Sequence, residues 1–260
     1  MNYTQNFKDA IKLNTFLGTG NPNAKILIVG KEVATNLESS DSLEKQNSIS
    51  TINNALDWNK NVLNNVNQEN IKPWLFNEQL DLANVDNNPL FAFKGSIKKY
   101  TSDTWKKYQK LYDIIFKGEI NRNNELELDF QKQFFITEMS ELPSKTTGKA
   151  IKNSDFEQKL QHRKDTFFKS KFIQDFPIVV LACSNYITNK GENREIDDIF
   201  NVKFISEGGT PSQKFWIHRN KSKKTKLVIH TRQLSNAIED ELLIKIGEEI
   251  KNFSIANKIS

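Results

Sequence analysis

The chain of 260 residues reads as an α/β fold: a three-layer α/β/α sandwich around a central, mostly parallel four-stranded sheet. Two observations predict it. Four short β-branched or apolar runs, Ile26 to Val29, Phe134 to Thr137, Ile178 to Ala182 and Leu227 to Ile229, have the length and composition of buried core strands. Between them, apolar residues recur at helical rather than alternating spacing, so strand and helix take turns along the chain and helices cover both faces of one sheet.

The first helical gap holds Trp105, Tyr108, Leu111, Tyr112, Ile115 and Phe116, and the next holds Phe156, Leu160, Phe167, Phe168 and Phe172. After the last strand, Leu234, Ile238, Leu242, Ile246 and Ile250 repeat every fourth position, which predicts a helix directly following that strand. The runs Val202 to Ile205 and Phe215 to Ile217 flank the turn-like Gly208 to Ser212 and predict an added hairpin. The Asn-rich stretch from about Gln46 to Asn88 still carries Trp58, Trp74, Leu75, Phe76 and Leu80, so it reads as an ordered insert of helix and loop. No linker or repeat divides the chain, and residues 1–260 are expected to form a single domain.

Composition narrows the function classes. With 37 Lys+Arg against 32 Asp+Glu the net charge is +5, a surplus that permits contact with a polyanion without requiring it. The densest basic stretch runs from His218 to Lys226 and includes Arg219, Lys221, Lys223, Lys224 and Lys226. A single cysteine, Cys183, forbids an intrachain disulfide and any four-cysteine zinc or iron–sulfur site. The longest clean apolar run is strand-sized and the opening residues lack an apolar signal core, so a cytoplasmic protein with no membrane contact is expected.

In a parallel α/β sheet, ligands bind at the carboxyl ends of the strands. Three of those ends carry functional side chains: Gly30-Lys31-Glu32-Val33-Ala34, Thr137-Glu138-Met139-Ser140-Glu141-Leu142-Pro143 and His230-Thr231-Arg232-Gln233-Leu234-Ser235-Asn236. The glycines Gly18 and Gly20 precede the first strand, whereas phosphate-cradling glycines follow one, so they do not mark a nucleotide cofactor.

The order of strands ending GKEVA, FFITEMSELPSK and KLVIHTRQLSN resembles the uracil-DNA glycosylase superfamily across most of the chain. The resemblance implies that family's sandwich fold and a metal-independent, cofactor-free, monofunctional DNA glycosylase. Such an enzyme flips a uracil-like or modified base out of DNA and hydrolyses its N-glycosidic bond with water, in base-excision repair or defence against foreign DNA. Residue by residue, it implies Glu32 as the carboxylate that positions and activates water, and His230 as the neutral donor to the departing base. Glu138 stands at the base-reading position with Lys31 beside the base, and Phe91, Phe93 or Trp74 is the stacking ring. An ionised Glu138 accepts hydrogen bonds only, which predicts a preference for amino-bearing bases. Leu234 falls at the position of the wedge that enters the duplex, with Arg232 and Ser235 as phosphate contacts. Val33, Thr231 and Arg232 depart from the family's usual prolines and serine. DNA is the expected partner of a monomer. The alternative expectation is a non-catalytic nucleic-acid or nucleobase-binding protein on the same fold, and a further one is an unrelated doubly wound hydrolase or nucleotide binder.

Overall fold

A computed structural model describes residues 2–35, 48–71, 88–91, 101–124, 127–144, 146–191, 194–220, 225–235 and 237–259. In chain order its strands are β1 (Thr19–Gly20), β2 (Ile26–Gly30), β3 (Phe134–Glu138), β4 (Ile178–Leu181), β5 (Lys203–Gly209), β6 (Lys214–Arg219) and β7 (Leu227–Thr231). The helices are α1 (Gln5–Ile11), α2 (Asn54–Leu63), α3 (Asp103–Tyr112), α4 (Thr147–Ile151), α5 (Phe156–Asp165), α6 (Lys171–Gln174), α7 (Glu195–Phe200) and α8 (Asp240–Asn257). Side-chain oxygens mark several helix starts: Thr4, Ser102 and Thr146 accept from the backbone N–H groups of Phe7, Trp105 and Lys149, satisfying donors that a helix leaves free.

The sheet has seven strands in the order β1-β3-β2-β4-β7-β6-β5 and is mixed. The α/β class is as expected, but the four-stranded sheet was too small. The four apolar runs do pair in parallel at the centre, β3 with β2, β2 with β4 and β4 with β7. Three antiparallel strands extend the edges. The β5–β6 hairpin, anticipated only as an addition, pairs onto β7, and the two-residue β1 pairs with β3. β1 escapes hydropathy because it is Thr19-Gly20: a Cβ on the adjacent Gly18 would come within 2.1 Å of the Ile136 carbonyl oxygen, so glycine is required for that approach.

Alternate residues of the central strands feed two cores, since successive strand side chains point to opposite faces. Leu27, Val29, Phe135, Val179 and Leu181 pack with Phe7, Trp58, Phe156, Phe172 and Phe200 of α1, α2, α5, α6 and α7. Ile26, Ile28, Phe134, Ile136, Val180 and Ile229 pack with Tyr108 and Leu111 of α3 and Leu242, Ile246 and Ile250 of α8. The last helix begins at Asp240 rather than directly after β7. Leu234 and Ile238 lie in the intervening turns but are still buried, which is why the apolar spacing ran on through them. In the Asn-rich insert, α2 anchors the chain through Trp58, whose indole N–H donates to the Gly18 carbonyl at 2.8 Å; Trp74, Leu75, Phe76 and Leu80 lie outside the described residues. Among the described residues no helix is long and apolar enough to cross a membrane.

Candidate active site

From β2 the chain passes to β3 on one side, whereas after β4 it continues on the other side, through β5 and β6 to β7. The carboxyl ends of β2 and β4 therefore border the crevice where ligands settle in such sheets. The β2 and β3 loops are tied past the last strand residues by Met139 N–H to Gly30 O at 2.9 Å, Ser140 N–H to Lys31 O at 2.8 Å and Ser144 N–H to Val33 O at 3.0 Å. A pocket of about 190 Å³ opens there. Phe16, Ile136, Trp105 and Tyr108 supply its apolar wall, and Lys31, Glu32, Glu138 and Gln233 its polar one.

Glu138 and Gly30 are register partners, and the Glu138 side chain crosses over the glycine into the pocket. Burial pushes the Glu138 carboxyl up to about 8, repulsion from Glu32 adds to this, and the charge of Arg163 opposes it. Near neutral pH Glu138 therefore carries a proton and presents one donor and one acceptor. The ionised, acceptor-only carboxylate expected from the sequence is reversed by burial beside a second carboxyl.

Glu32, only 9% exposed, accepts from the Thr147 hydroxyl through Oε1 at 2.8 Å. Its Oε2 is buried with no hydrogen-bond partner. Arg163 lies behind Glu138. Its guanidinium donates to the Glu138 carbonyl at 3.0 Å, the Thr15 hydroxyl at 2.6 Å, the Phe16 carbonyl at 2.6 Å and the Thr137 hydroxyl at 3.0 Å. Thr15 in turn donates to Glu141. This one side chain ties α5, the end of β3 and the pocket-lining Phe16 segment together.

His230 does not line the pocket. Its Nε2 is 2.8 Å from the Ser184 carbonyl, which can only accept, so Nε2 carries the proton. Its Nδ1 is 3.1 Å from Asn189 Nδ2, and that amide is oriented by Arg194, which donates to Asn189 Oδ1 at 3.0 Å. Burial brings His230 down to about 4, with the Ser184 bond opposing, so the ring is neutral. It is neutral as expected, but its one donor is spent on backbone rather than offered to a base.

The structure thus brings Lys31, Glu32 and Glu138 together and leaves the other expected residues apart. Leu234 is fully buried in the α8-side core and presents no wedge, because its apolar spacing belongs to that core. Phe91 is 5% exposed in the opposite core, and Phe93 lies outside the described residues. Arg232 is exposed and Ser235 half-buried on the loop after β7. Of the basic stretch, Lys226 is buried and donates to the Gln174 carbonyl at 2.7 Å, while Lys221, Lys223 and Lys224 fall outside the described residues.

Sequence reasoning missed Trp105 as a pocket ring, Gln233, Tyr186 and Arg163. Arg163 did leave a signal: in the order Phe156, Leu160, Arg163, Phe167 it is a charge set on an apolar helical stripe. Among the described residues no three His, Cys, Asp or Glu side chains cluster as the ligands of an ion would. Comparison of the chain with family models, curated proteins and solved structures gives no match.

Proposed function

We propose that the chain hydrolyses the N-glycosidic bond of a base turned out of a nucleic-acid strand, in line with its sequence resemblance to the uracil-DNA glycosylase superfamily. One observation carries the reading: Glu32 and Glu138 line one pocket at the ends of adjacent strands, and Glu138 holds a proton where an isolated carboxyl would not. A protonated carboxyl facing a second carboxyl suits the two halves of glycoside hydrolysis. Glu138 donates its proton to the departing base as the C1′–N bond breaks. Glu32 takes a proton from the water whose oxygen bonds C1′. The sum is one water consumed, with free base and a sugar hydroxyl released. The ring of Trp105 stacks on the base, the role the sequence reading gave to Phe91, Phe93 or Trp74. A strand partner is supported by Lys31, Lys149, Lys152, Lys190 and Arg232, which follow four different parallel strands and, among the described residues, form no ion pair.

The second reading, a base-binding protein without turnover, is favoured by His230, whose ring nitrogens both face protein partners. Incubation with oligonucleotides carrying uracil, hypoxanthine or natural and modified cytosines, followed by alkali, separates the two. Strand scission that disappears in Glu32→Gln supports hydrolysis. Salt-sensitive binding with no scission on any substrate supports the second reading.

A further inference from the structure

Two buried polar atoms beside the pocket lack partners, Glu32 Oε2 and the Tyr186 hydroxyl, and they belong to neighbouring residues. Tyr186 arrives there by an unusual route. The turn after β4 places Ser184 at φ +50°, a left-handed conformation that a residue with a Cβ holds only when its surroundings enforce it. The enforcement comes from β7: His230 Nε2–H donates to the Ser184 carbonyl at 2.8 Å, and Gln233 N–H donates to the Ser184 hydroxyl at 3.0 Å. Tyr186 N–H closes the turn on the Cys183 carbonyl at 3.1 Å.

The Tyr186 ring, 2% exposed, is then wedged edge-on against Phe156 at 5.2 Å, with the Lys31 ammonium 5.3 Å from its centre. Its hydroxyl lies within hydrogen-bonding reach of Glu32 and Thr147 but not at good bonding geometry, and neither it nor Glu32 Oε2 is exposed to water. A buried donor and a buried acceptor side by side, each costly to leave unmade, become partners through a small torsional adjustment.

We propose that Tyr186 is the positioning residue of Glu32: its phenol donates to Oε2 as Thr147 donates to Oε1, so that one hydroxyl holds each carboxyl oxygen, with His230 acting through Ser184 to set Tyr186 in place. The proposal rests on the hydrolytic reading for its purpose, which is to hold the Glu32 carboxyl toward the attacking water. The charged groups around Glu32 are Glu138 from β3, Lys31 from its own loop and Asp57 across the pocket. Burial raises the Tyr186 phenol well above its ordinary value, so it remains a donor throughout the range in which Glu32 acts.

The test follows the glutamate carboxyl ¹³C signals against pH in wild type and Tyr186→Phe, with Glu32→Gln identifying the Glu32 signal. Removing one donor from a carboxylate is expected to move the Glu32 titration upward by about one pH unit, while the melting temperature stays near that of wild type. An unmoved Glu32 titration would overturn the proposal. The wild-type protein supplies a second reading without any substitution: the Tyr186 ring carbon bearing the hydroxyl must respond as Glu32 titrates, and indifference there overturns it equally. In the base-release assay Tyr186→Phe should lower kcat about tenfold with KM unchanged, the worth of one such hydrogen bond. Absence of release from the wild type would remove the hydrolytic reading but leave the titration result standing, so the two failures are distinguishable.

Discussion

Gly30 and Glu138 face each other across β2 and β3 so closely that a Cβ on Gly30 would lie 2.1 Å from a Glu138 carboxyl oxygen. The glycine is therefore the surface on which the Glu138 carboxyl rests. Because the obstructing atom is the far end of a flexible side chain, Gly30→Ala should be tolerated by the fold while displacing the carboxyl from the pocket. Thermal unfolding is expected to stay within a few degrees of wild type and base release to fall at least tenfold. A variant with unchanged release would show that Glu138 acts from elsewhere.

Glu138 also gives stability a pH signature. Its carboxyl is raised from 4.5 to about 8, so between those values the unfolded chain has lost a proton that the folded chain retains. Folding stability then falls as pH rises from about 4.5 to about 8 and levels off above. Glu138→Gln removes this penalty and should gain stability over wild type toward pH 8, on the order of a few kcal/mol. Urea denaturation of both proteins at pH 5, 6.5 and 8 measures the gap, and a gap independent of pH would contradict the assignment.

His230 contributes with the opposite sign. Lowered from 6.5 to about 4, it stays neutral in the fold where the unfolded chain takes up a proton, so its contribution is full above about 6.5 and is lost as pH falls through about 4. His230→Ala leaves the Ser184 carbonyl and the Asn189 amide without their partner, at a cost of roughly 2 kcal/mol near neutral pH. The difference from wild type should narrow as pH drops toward 4. A difference that widens on acidification would mean that the ring is charged in the fold.

The strands that build the site were legible because they are buried on both faces, and the runs around Ile28, Ile136, Val180 and Ile229 advertise that directly. β1 was illegible because Gly18, Thr19 and Gly20 carry no hydropathy; backbone approach to β3 makes the strand. Glu32 and Glu138 could be placed at strand ends from sequence, but the proton on Glu138 depends on burial and on a second carboxyl far away in the chain. His230 lies near the end of β7, but nothing in the sequence states that Ser184 and Asn189 occupy both of its nitrogens. Leu234 illustrates the converse: one apolar spacing serves a surface wedge and a core residue equally well, and three-dimensional packing decides.

Arg163 should be the most sensitive structural position around the site. Four hydrogen bonds to two carbonyls and two hydroxyls depend on it, with the guanidinium stacked 4.2 Å from the Phe167 ring. Arg163→Met leaves those buried groups unpartnered and is expected to cost about 3–5 kcal/mol in denaturant unfolding. It also removes the positive charge that restrains Glu138, whose titration should move further upward. Near-wild-type stability would mean that the network is redundant.

If a protonated Glu138 and a proton-accepting Glu32 act on one bond, single-turnover base release followed from pH 5 to pH 9 will show both. The rate should decline above about 8 as Glu138 loses its proton, with that decline absent from Glu138→Gln and release absent from Glu32→Gln. A rate that continues to rise through pH 9, or undiminished release by Glu32→Gln, would contradict that joint action.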